Sequence, residues 1–311
     1  MKKFVLKTAL FFAIMAVIDV TCGYGFRFLT SKAKYGETYK NNYIANISSD
    51  DVIILGSSRA ARHYVPSIIQ DSLGLSCYNA GEPGCGIITA YARYEMIAER
   101  KKPQLVIYEA TPGYDYFFAD DYSKYLGRIR QYSDRESVAA MFFTFGDELE
   151  PLRLLSSMYR NNSYIVQNMM DIVVPTKDYR GYDPLFGKLA ENAVNNKREI
   201  QVEKDIKSYE IDSLKLFYVE KFFADTKADG VSVVCTLSPY FSATSEGDVE
   251  KYRPLIELCR KYNIPFIDNR NFEGITGEMA CFQDFGHLND YGANKYTASL
   301  IPSFRKYLNA K

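Results

Sequence analysis

The sequence favours an α/β fold in which helices cover both faces of a mostly parallel sheet. Short, apolar, β-branched runs alternate with longer segments whose apolar residues recur at helical spacing, and the connections between them are short. This alternation is typical of parallel sheets buried on both faces. It stops at about residue 116 and resumes after about residue 207. The intervening stretch is rich in Tyr, Arg, Asp and Asn, and we interpret it as a helical insertion.

The first half of the core contains three predicted strands, with a helical segment after each of the first two. The strands are "DVIILG", "LSCYNAG" and "QLVIYEA". The first helical segment, 58–74, is interrupted at Pro66, and the second ends before Pro103. After the insertion we predict helix 212–230, strand "VSVVCTLS", helix 248–263, strand "IPFIDN" and a final helix over 289–308.

The N-terminus has the features of a membrane anchor. Lys2, Lys3 and Lys7 precede or flank an apolar run, and a helix over 4–26 would be about 34 Å long, enough to cross a bilayer. We predict a signal anchor at 1–29 and a polar stalk at 30–50, followed by the main domain at 51–311. Because the lysines precede the span, they favour a single-pass protein with its domain outside the cytoplasm, in the periplasm. Secretion after cleavage at Gly23 and a buried N-terminal helix are the alternatives.

Composition argues against several classes of partner. Lys plus Arg and Asp plus Glu both number 38, so the formal charge is zero and no basic patch indicates nucleic acid. None of the six cysteines forms a Cys-x-x-Cys pair, which disfavours a zinc or redox site. We therefore predict no metal and no cofactor.

Two serines, Ser57 and Ser58, follow Gly56 at the end of the first strand. Ligands of open α/β sheets bind at this edge, and the following helix N-terminus favours developing negative charge. One of the serines is therefore a candidate nucleophile. A helix N-cap is the alternative role.

A serine nucleophile needs a base, and the chain has only two histidines. His63 lies on the same predicted helix as Ser58 and should point away from the turn. His287 lies in a loop before the last helix, three residues after Asp284. This spacing lets the carboxylate accept from Nδ1 while Nε2 faces a serine. Alternatively, Asp284 caps a turn and His287 is a surface residue.

Together these motifs resemble the SGNH hydrolase (GDSL-like esterase) superfamily. Gly56-Ser57-Ser58 matches its first block, "NAGEPG" (79–84) its second, and Asp284 with His287 its last. The resemblance covers roughly 51–115 and 208–311. It implies a three-layer, flavodoxin-like SGNH fold with a catalytic Ser58, His287 and Asp284. It also implies an oxyanion hole formed by the backbone N–H groups of Ser58 and Gly84.

The third block of the family, Gly-x-Asn-Asp, is not matched. Thr111 and Pro112 stand there, and proline cannot donate to an oxyanion. Losing one such donor typically costs about 10²–10³ in rate. Thr111 and Asp115 are candidates to compensate.

Further residues are weaker candidates for substrate binding. They are Arg59, Asn79, Thr111 and Asp115. Arg59 and Arg62 would attract an anionic substrate, or they are solvated charges on a helix. The tyrosines of the insertion are candidates for a sugar platform or for ordinary packing: Tyr114, Tyr116, Tyr122 and Tyr125.

The "GSSRA" form combined with an anchor is most similar to extracytoplasmic members that move acyl groups on envelope polymers, such as alginate O-acetylation proteins and the D-alanyl transfer protein of teichoic acid synthesis. The resemblance implies an extracytoplasmic serine ester hydrolase or O-acyltransferase acting on acylated cell-envelope carbohydrate. A non-catalytic SGNH-like module that binds glycan or a membrane acyltransferase partner is the second hypothesis. A structural α/β domain is the third.

Overall fold

A computed structural model describes residues 1–118, 121–191, 210–242 and 250–308 of the chain. Its strands are β1 (Val52–Gly56), β2 (Cys77–Asn79), β3 (Leu105–Glu109), β4 (Ser232–Leu237) and β5 (Phe266–Asp268). Its α-helices are α1 (Lys2–Ser31), α2 (Gly36–Asn46), α3 (Ser58–His63), α4 (Pro66–Leu73), α5 (Ile87–Ala98), α6 (Pro112–Asp115), α7 (Ser123–Gly127), α8 (Glu136–Phe145), α9 (Glu150–Arg153), α10 (Ser157–Asn161), α11 (Ile165–Val173), α12 (Ser213–Ala228), α13 (Arg253–Tyr262) and α14 (Asp290–Leu308).

The strands form one parallel sheet in the order β2-β1-β3-β4-β5. This is the flavodoxin-like order, in which ligands bind beyond the carboxyl ends of the strands where the strand order reverses. That point lies between β1 and β3, whose last residues, Gly56 and Glu109, are in register. The sheet therefore places the turn after β1 where this architecture binds its ligands.

Helices cover both faces of the sheet, which confirms the predicted three-layer α/β class. Helices α3, α4 and α14 pack on one face, and α5, α12 and α13 lie on the other. The side chains of β1, β3 and β4 are almost all buried because each face of the sheet meets a helix layer. Tyr108 of β3, for example, packs against Phe222 and Phe223 of α12.

The chain divides into two compact units. Unit 1 consists of Met1–Ile47 and Asp121–Asp178, and unit 2 of Ser48–Asp120 and Tyr179–Lys311. The helical insertion predicted at 116–207 thus contributes 121–178 to unit 1, and its predicted end lies outside the described residues. Unit 2 contains the whole sheet.

Of the polar stretch at 30–50, which the sequence predicted to be a stalk, residues 30–47 belong to unit 1 and 48–50 to unit 2. Residues 36–46 form α2, in which Thr38, Ile44 and Ala45 are buried. Polar composition alone does not reveal this helix, because its Thr38 is buried with hydrogen-bond partners. The Thr38 hydroxyl donates to Asn168, and the Thr38 N–H donates to the carboxylate of Asp171.

Helix α1 is long enough and apolar enough to cross a membrane. Its N-terminal part carries exposed apolar side chains, and its C-terminal part, from Asp19 onward, packs within unit 1. Mainly the first part therefore resembles a lipid-facing span.

Candidate active site

A sharp turn after β1 presents Ser58. Gly56 has φ +136°, and a Cβ there would lie 2.2 Å from the Glu109 carbonyl oxygen, so only glycine fits. Ser57 is the N-cap of α3, and its buried hydroxyl has no hydrogen-bond partner in the described part of the chain. Ser58 begins α3 and stays partly accessible. The turn thus separates a buried serine from an accessible one.

Ser58 forms a hydrogen-bonded chain with His287 and Asp284. His287 Nε2 lies 2.8 Å from Ser58 Oγ, within the range expected for a nucleophile and its base. His287 Nδ1 lies 3.0 and 2.9 Å from the two carboxylate oxygens of Asp284. The three predicted catalytic residues are therefore brought together.

The loop before α14 shapes the acidic end of this chain. The N–H groups of Gly286 and His287 both donate to Asp284 Oδ1 at 2.8 Å. Burial acts to raise the pKa of Asp284, but the hydrogen bonds from the His287 ring and these N–H groups outweigh it, so the pKa is lowered. Asp284 therefore stays ionised and assigns the His287 proton to Nδ1, leaving Nε2 to accept from Ser58.

Two backbone N–H groups are available as oxyanion donors. The Ser58 N–H is one of the first groups of α3, which have no intrahelical acceptor. Gly84 adopts a left-handed φ of +71° in the turn after β2. Among the described residues neither N–H has a hydrogen-bond partner. They are the two N–H groups that the resemblance implies as oxyanion donors, and that role stays a prediction.

The turn that carries Gly84 is fixed against α3. Asn79 Nδ2 donates to the carbonyl oxygens of Ala60 (2.8 Å) and Tyr64 (3.0 Å), and its Oδ1 accepts from the Gly81 N–H. A Cβ on Gly81 would lie 2.5 Å from the Ala61 nitrogen. Asn79 is wholly buried. These contacts favour a role in shaping the turn over substrate binding, which stays a prediction.

Beyond the turn after β1, a buried polar network occupies the carboxyl ends of β3 and β4. The Glu109 carboxylate accepts from the Ser238 hydroxyl (2.7 Å), the Ser238 N–H (3.0 Å) and Tyr64. Arg59 lies 3.2 Å from Glu109, donates to Ser238 and stacks on Tyr240. The Arg59 guanidinium is buried and paired, and these contacts favour a structural role over attraction of an anionic substrate.

His63 connects this network to the segment beside His287. Its Nδ1 lies 2.7 Å from Ser238 Oγ, and its Nε2 accepts from the Leu288 N–H at 3.0 Å. Because Nε2 is an acceptor, the ring proton is on Nδ1. Burial and the positive charge of Arg59 hold the pKa of His63 well below its usual value. His63 is thus a neutral ring that contacts the segment carrying the base, whereas the sequence predicted that it would point away.

Sequence reasoning missed Glu109 and Ser238 as parts of the site. A signal was present, because both lie at the ends of apolar runs predicted to be parallel strands. Polar residues at such ends share one edge of the sheet.

In the segment after β3, one backbone N–H group is already engaged in a hydrogen bond. Pro112 begins the short helix α6, and the Thr111 N–H donates to Asp115 Oδ2 at 2.5 Å. The Thr111 hydroxyl is buried and has no hydrogen-bond partner among the described residues. Burial raises the pKa of Asp115 to about 7. The Thr111 hydroxyl is thus one local candidate to replace the missing amide, and the roles of Thr111 and Asp115 toward substrate stay predictions.

The tyrosines considered for a sugar platform separate into two groups. Tyr116 and Tyr125 are buried, and the Tyr116 hydroxyl donates to the Lys251 carbonyl. Tyr122 packs edge-on against Phe145, and Tyr114 is partly exposed. Packing therefore accounts for Tyr116 and Tyr125.

Comparisons with known proteins give distant structural similarity only. No family model matches the sequence, and no curated protein matches it. A structure of TesA has 12% identity and a TM-score of 0.43, covering 82% of this chain and 98% of that chain. An acetyl xylan esterase, AlAXEase, has 13% identity and a TM-score of 0.40, covering 81% and 98%. A mutant of Axe2, an acetyl-xylooligosaccharide esterase from Geobacillus Stearmophilus, has 10% identity and a TM-score of 0.42, covering 85% and 96%. At these TM-scores the similarity carries no argument about activity.

Proposed function

We propose that the chain is a serine ester hydrolase or O-acyltransferase of the SGNH type. The observation that carries the proposal is the hydrogen-bonded chain from Ser58 through His287 to Asp284. It stands at the switch point of a flavodoxin-like sheet, where that architecture binds ligands.

In the proposed reaction, Ser58 Oγ attacks an ester carbonyl carbon and His287 Nε2 takes the hydroxyl proton. Asp284 holds the ring and stabilises the imidazolium. The carbonyl oxygen becomes an oxyanion that accepts from the N–H groups of Ser58 and Gly84. The carbon–oxygen bond to the alcohol then breaks, and the alcohol leaves with the proton from His287.

The acyl-serine is resolved by the reverse sequence. His287 takes a proton from a second hydroxyl compound, whose oxygen attacks the acyl carbon, and Ser58 leaves with that proton. Water as the second compound gives hydrolysis, and a sugar hydroxyl gives acyl transfer. We propose acylated cell-envelope carbohydrate as the substrate, on the resemblance of "GSSRA" and the apolar N-terminal helix to envelope acyl-transfer proteins.

Labelling with a fluorophosphonate probe tests the proposal. The probe should react with the folded chain at Ser58, and Ser58→Ala should abolish both labelling and ester turnover. Ser57→Ala is the matched control, because it removes a neighbouring hydroxyl that makes no hydrogen bond in the described structure. It should keep labelling and stability. Absence of labelling in the folded protein, or equal labelling of Ser58→Ala, contradicts the proposal. Glycan or partner binding that persists without turnover would then support the non-catalytic module.

A further inference from the structure

Helix α11 of unit 1 buries polar side chains and exposes apolar ones. Its only buried residues are Asn168 and Asp171, which accept hydrogen bonds from Thr38 at 2.9 Å. Its outward side carries Val166, Met169, Met170 and Val173, all exposed. A helix at a water-facing surface has the opposite arrangement. The exposed side of α11 is therefore suited to an apolar environment.

The segment before α10 also exposes apolar side chains. Leu149, Leu152 and Leu155 are exposed, and Leu155 is the most exposed of them at 77%. The next residue, Ser156, turns inward and donates to Asp19 of α1. The N–H groups of Leu155 and Ser156 are bonded to nearby carbonyl oxygens, so no backbone donor there requires water.

The length of α1 indicates how deep in a bilayer its Asp19 would contact the start of α10. The residues between Lys7 and Arg27 would span about 28 Å as a helix, close to the hydrocarbon thickness of about 30 Å. Asp19 lies eight residues before Arg27, about 12 Å inside that boundary. Its carboxylate accepts from the Ser157 N–H (2.7 Å) and the Met158 N–H (3.2 Å). An acidic residue within a span needs such partners.

Gly23 brings α1 and α10 close at the same level. A Cβ there would lie 2.3 Å from the Ser157 hydroxyl oxygen and 2.4 Å from its carbonyl carbon. Small residues allow this approach between helices in membranes. Part of unit 1 therefore lies alongside α1 within its hydrocarbon-length section.

Exposed apolar side chains are concentrated in this part of the chain. Among the described residues outside α1, most of the large exposed ones lie between 143 and 174, whereas unit 2, which is much longer, has five. Apolar patches of this kind mark contact with a partner or a membrane. Because α10 and α11 pack against α1, the lipid that would surround α1 is the occupant that we favour over a separate protein.

We propose that an apolar face of unit 1, formed by Leu149, Leu152, Leu155, Val166, Met169 and Val173, is immersed in the bilayer leaflet nearest unit 1. The inference rests on the proposed role of α1 as an anchor. Tyr164 has the exposure and the amphipathic ring typical of the membrane–water boundary, and Arg128 stacks on it. Unit 1 would thus be held at the membrane by its own surface as well as by the span.

Quenching by brominated lipid tests this directly. The full-length chain, with the partly exposed Cys22 replaced by Cys22→Ala, receives one bimane-labelled cysteine at a time and is reconstituted in phosphatidylcholine vesicles. The labelled variants are Leu152→Cys and Val166→Cys in the apolar face and Leu10→Cys in the span. Phe217→Cys is the matched control, because Phe217 is an exposed apolar residue of unit 2. Unchanged circular dichroism establishes that each variant is folded.

Brominated acyl chains should cause a loss of fluorescence at 152 and 166 comparable to the loss at 10, with none at 217. If the label at position 10 is quenched while those at 152 and 166 behave like the label at 217, α1 is an anchor but the apolar face is not immersed in lipid. A membrane protein would then be the favoured occupant of that face. If 10 is not quenched either, the anchor and the inference both fail. Neither result bears on esterase activity, which fluorophosphonate labelling tests separately.

Discussion

At the residue scale, His63 is placed to position the base rather than to exchange protons with the substrate. Both of its nitrogens are engaged, one with Ser238 and one with the Leu288 N–H. Leu288 follows His287 directly in the chain. The ring therefore fixes the backbone that carries the base, and the charge of Glu109 orients Ser238 in turn.

Replacing His63 should slow the chemical step without weakening substrate binding. His63→Leu leaves the Leu288 N–H without an acceptor, so His287 is held less accurately and kcat should fall about 10- to 10²-fold with KM nearly unchanged. His63→Gln offers an amide oxygen to the same N–H and should retain most of the activity. Steady-state kinetics and the rate of fluorophosphonate inactivation measure the activity of both variants. Equal losses in the two variants would contradict the positioning role.

Thr111 provides a second test at this scale. Its hydroxyl is the polar side chain nearest in sequence to Pro112 that is buried without a partner in the described residues. If it donates to the oxyanion, Thr111→Val should lower kcat/KM about 10²-fold, the typical effect of losing one such donor. Thr111→Ser keeps the hydroxyl and should stay close to the original rate. A Thr111→Val variant with full activity would show that two backbone donors suffice.

The residues of the candidate triad could be identified from the sequence because each lies in a short motif with a characteristic order along the chain. Ser58 was distinguished from Ser57 by the resemblance, and the structure gives a physical reason, since only Ser58 contacts His287. The network around Glu109 could not be identified in this way. Its partners come from the ends of separate strands and helices, and no local pattern records which of them meet.

At the element scale, the turn between β2 and α5 is the part whose exact shape matters most to the site. It carries the Gly84 N–H, and Gly81 lies directly against the α3 backbone. Gly81 has an ordinary φ, so a substitution there is opposed by contact alone.

Gly81→Ala should therefore disturb stability and activity together. The new methyl group would lie 2.5 Å from the Ala61 nitrogen, and overpacking of this kind costs about 1–3 kcal/mol. The displaced turn would also misplace the Gly84 N–H. Gly113→Ala is the control, because a Cβ there meets nothing within 4 Å. The melting temperature, measured by thermal unfolding, and the rate of ester turnover should both fall for Gly81→Ala and not for Gly113→Ala. An unchanged melting temperature for Gly81→Ala would contradict the close packing.

The sequence predicted a helical insertion, and its described part is helical, but its helix boundaries are harder to predict than those of the core. In unit 2 the apolar residues face inward, so their periodicity marks the elements correctly. In the insertion, the stretch 151–173 is divided among three short helices. Its apolar residues face outward and its polar ones inward, so the usual pattern does not mark where each helix packs.

At the scale of the whole molecule, the buried neutral His63 makes stability depend on pH. Its pKa is held well below 6.5 in the folded state, so the unfolded chain binds the proton more readily. The contribution of His63 to stability is therefore complete above pH 6.5 and decreases as the pH falls below 6.5.

The contribution of His63 to the free energy of unfolding should consequently drop on mild acidification. One histidine that stays neutral when folded contributes a loss of about 1.4 kcal/mol between roughly pH 7.5 and pH 5.5. Urea unfolding of the protein at both pH values measures the change, and the difference from His63→Gln isolates the contribution of this ring. An identical pH dependence in the two proteins would mean that His63 is not the group responsible.

Unit 1 is built from two chain segments that are far apart in the sequence, and this has a consequence for its folding. Asp19 and Ser156 are 137 residues apart, and the first three strands of unit 2 are synthesised between them. During vectorial synthesis α1 emerges first and must wait for its packing partners until those strands have followed. A signal peptidase that cut after Gly23 would release a chain without Asp19, the acceptor for the first N–H groups of α10. We therefore predict that a chain cleaved there forms a less stable unit 1 than the intact chain.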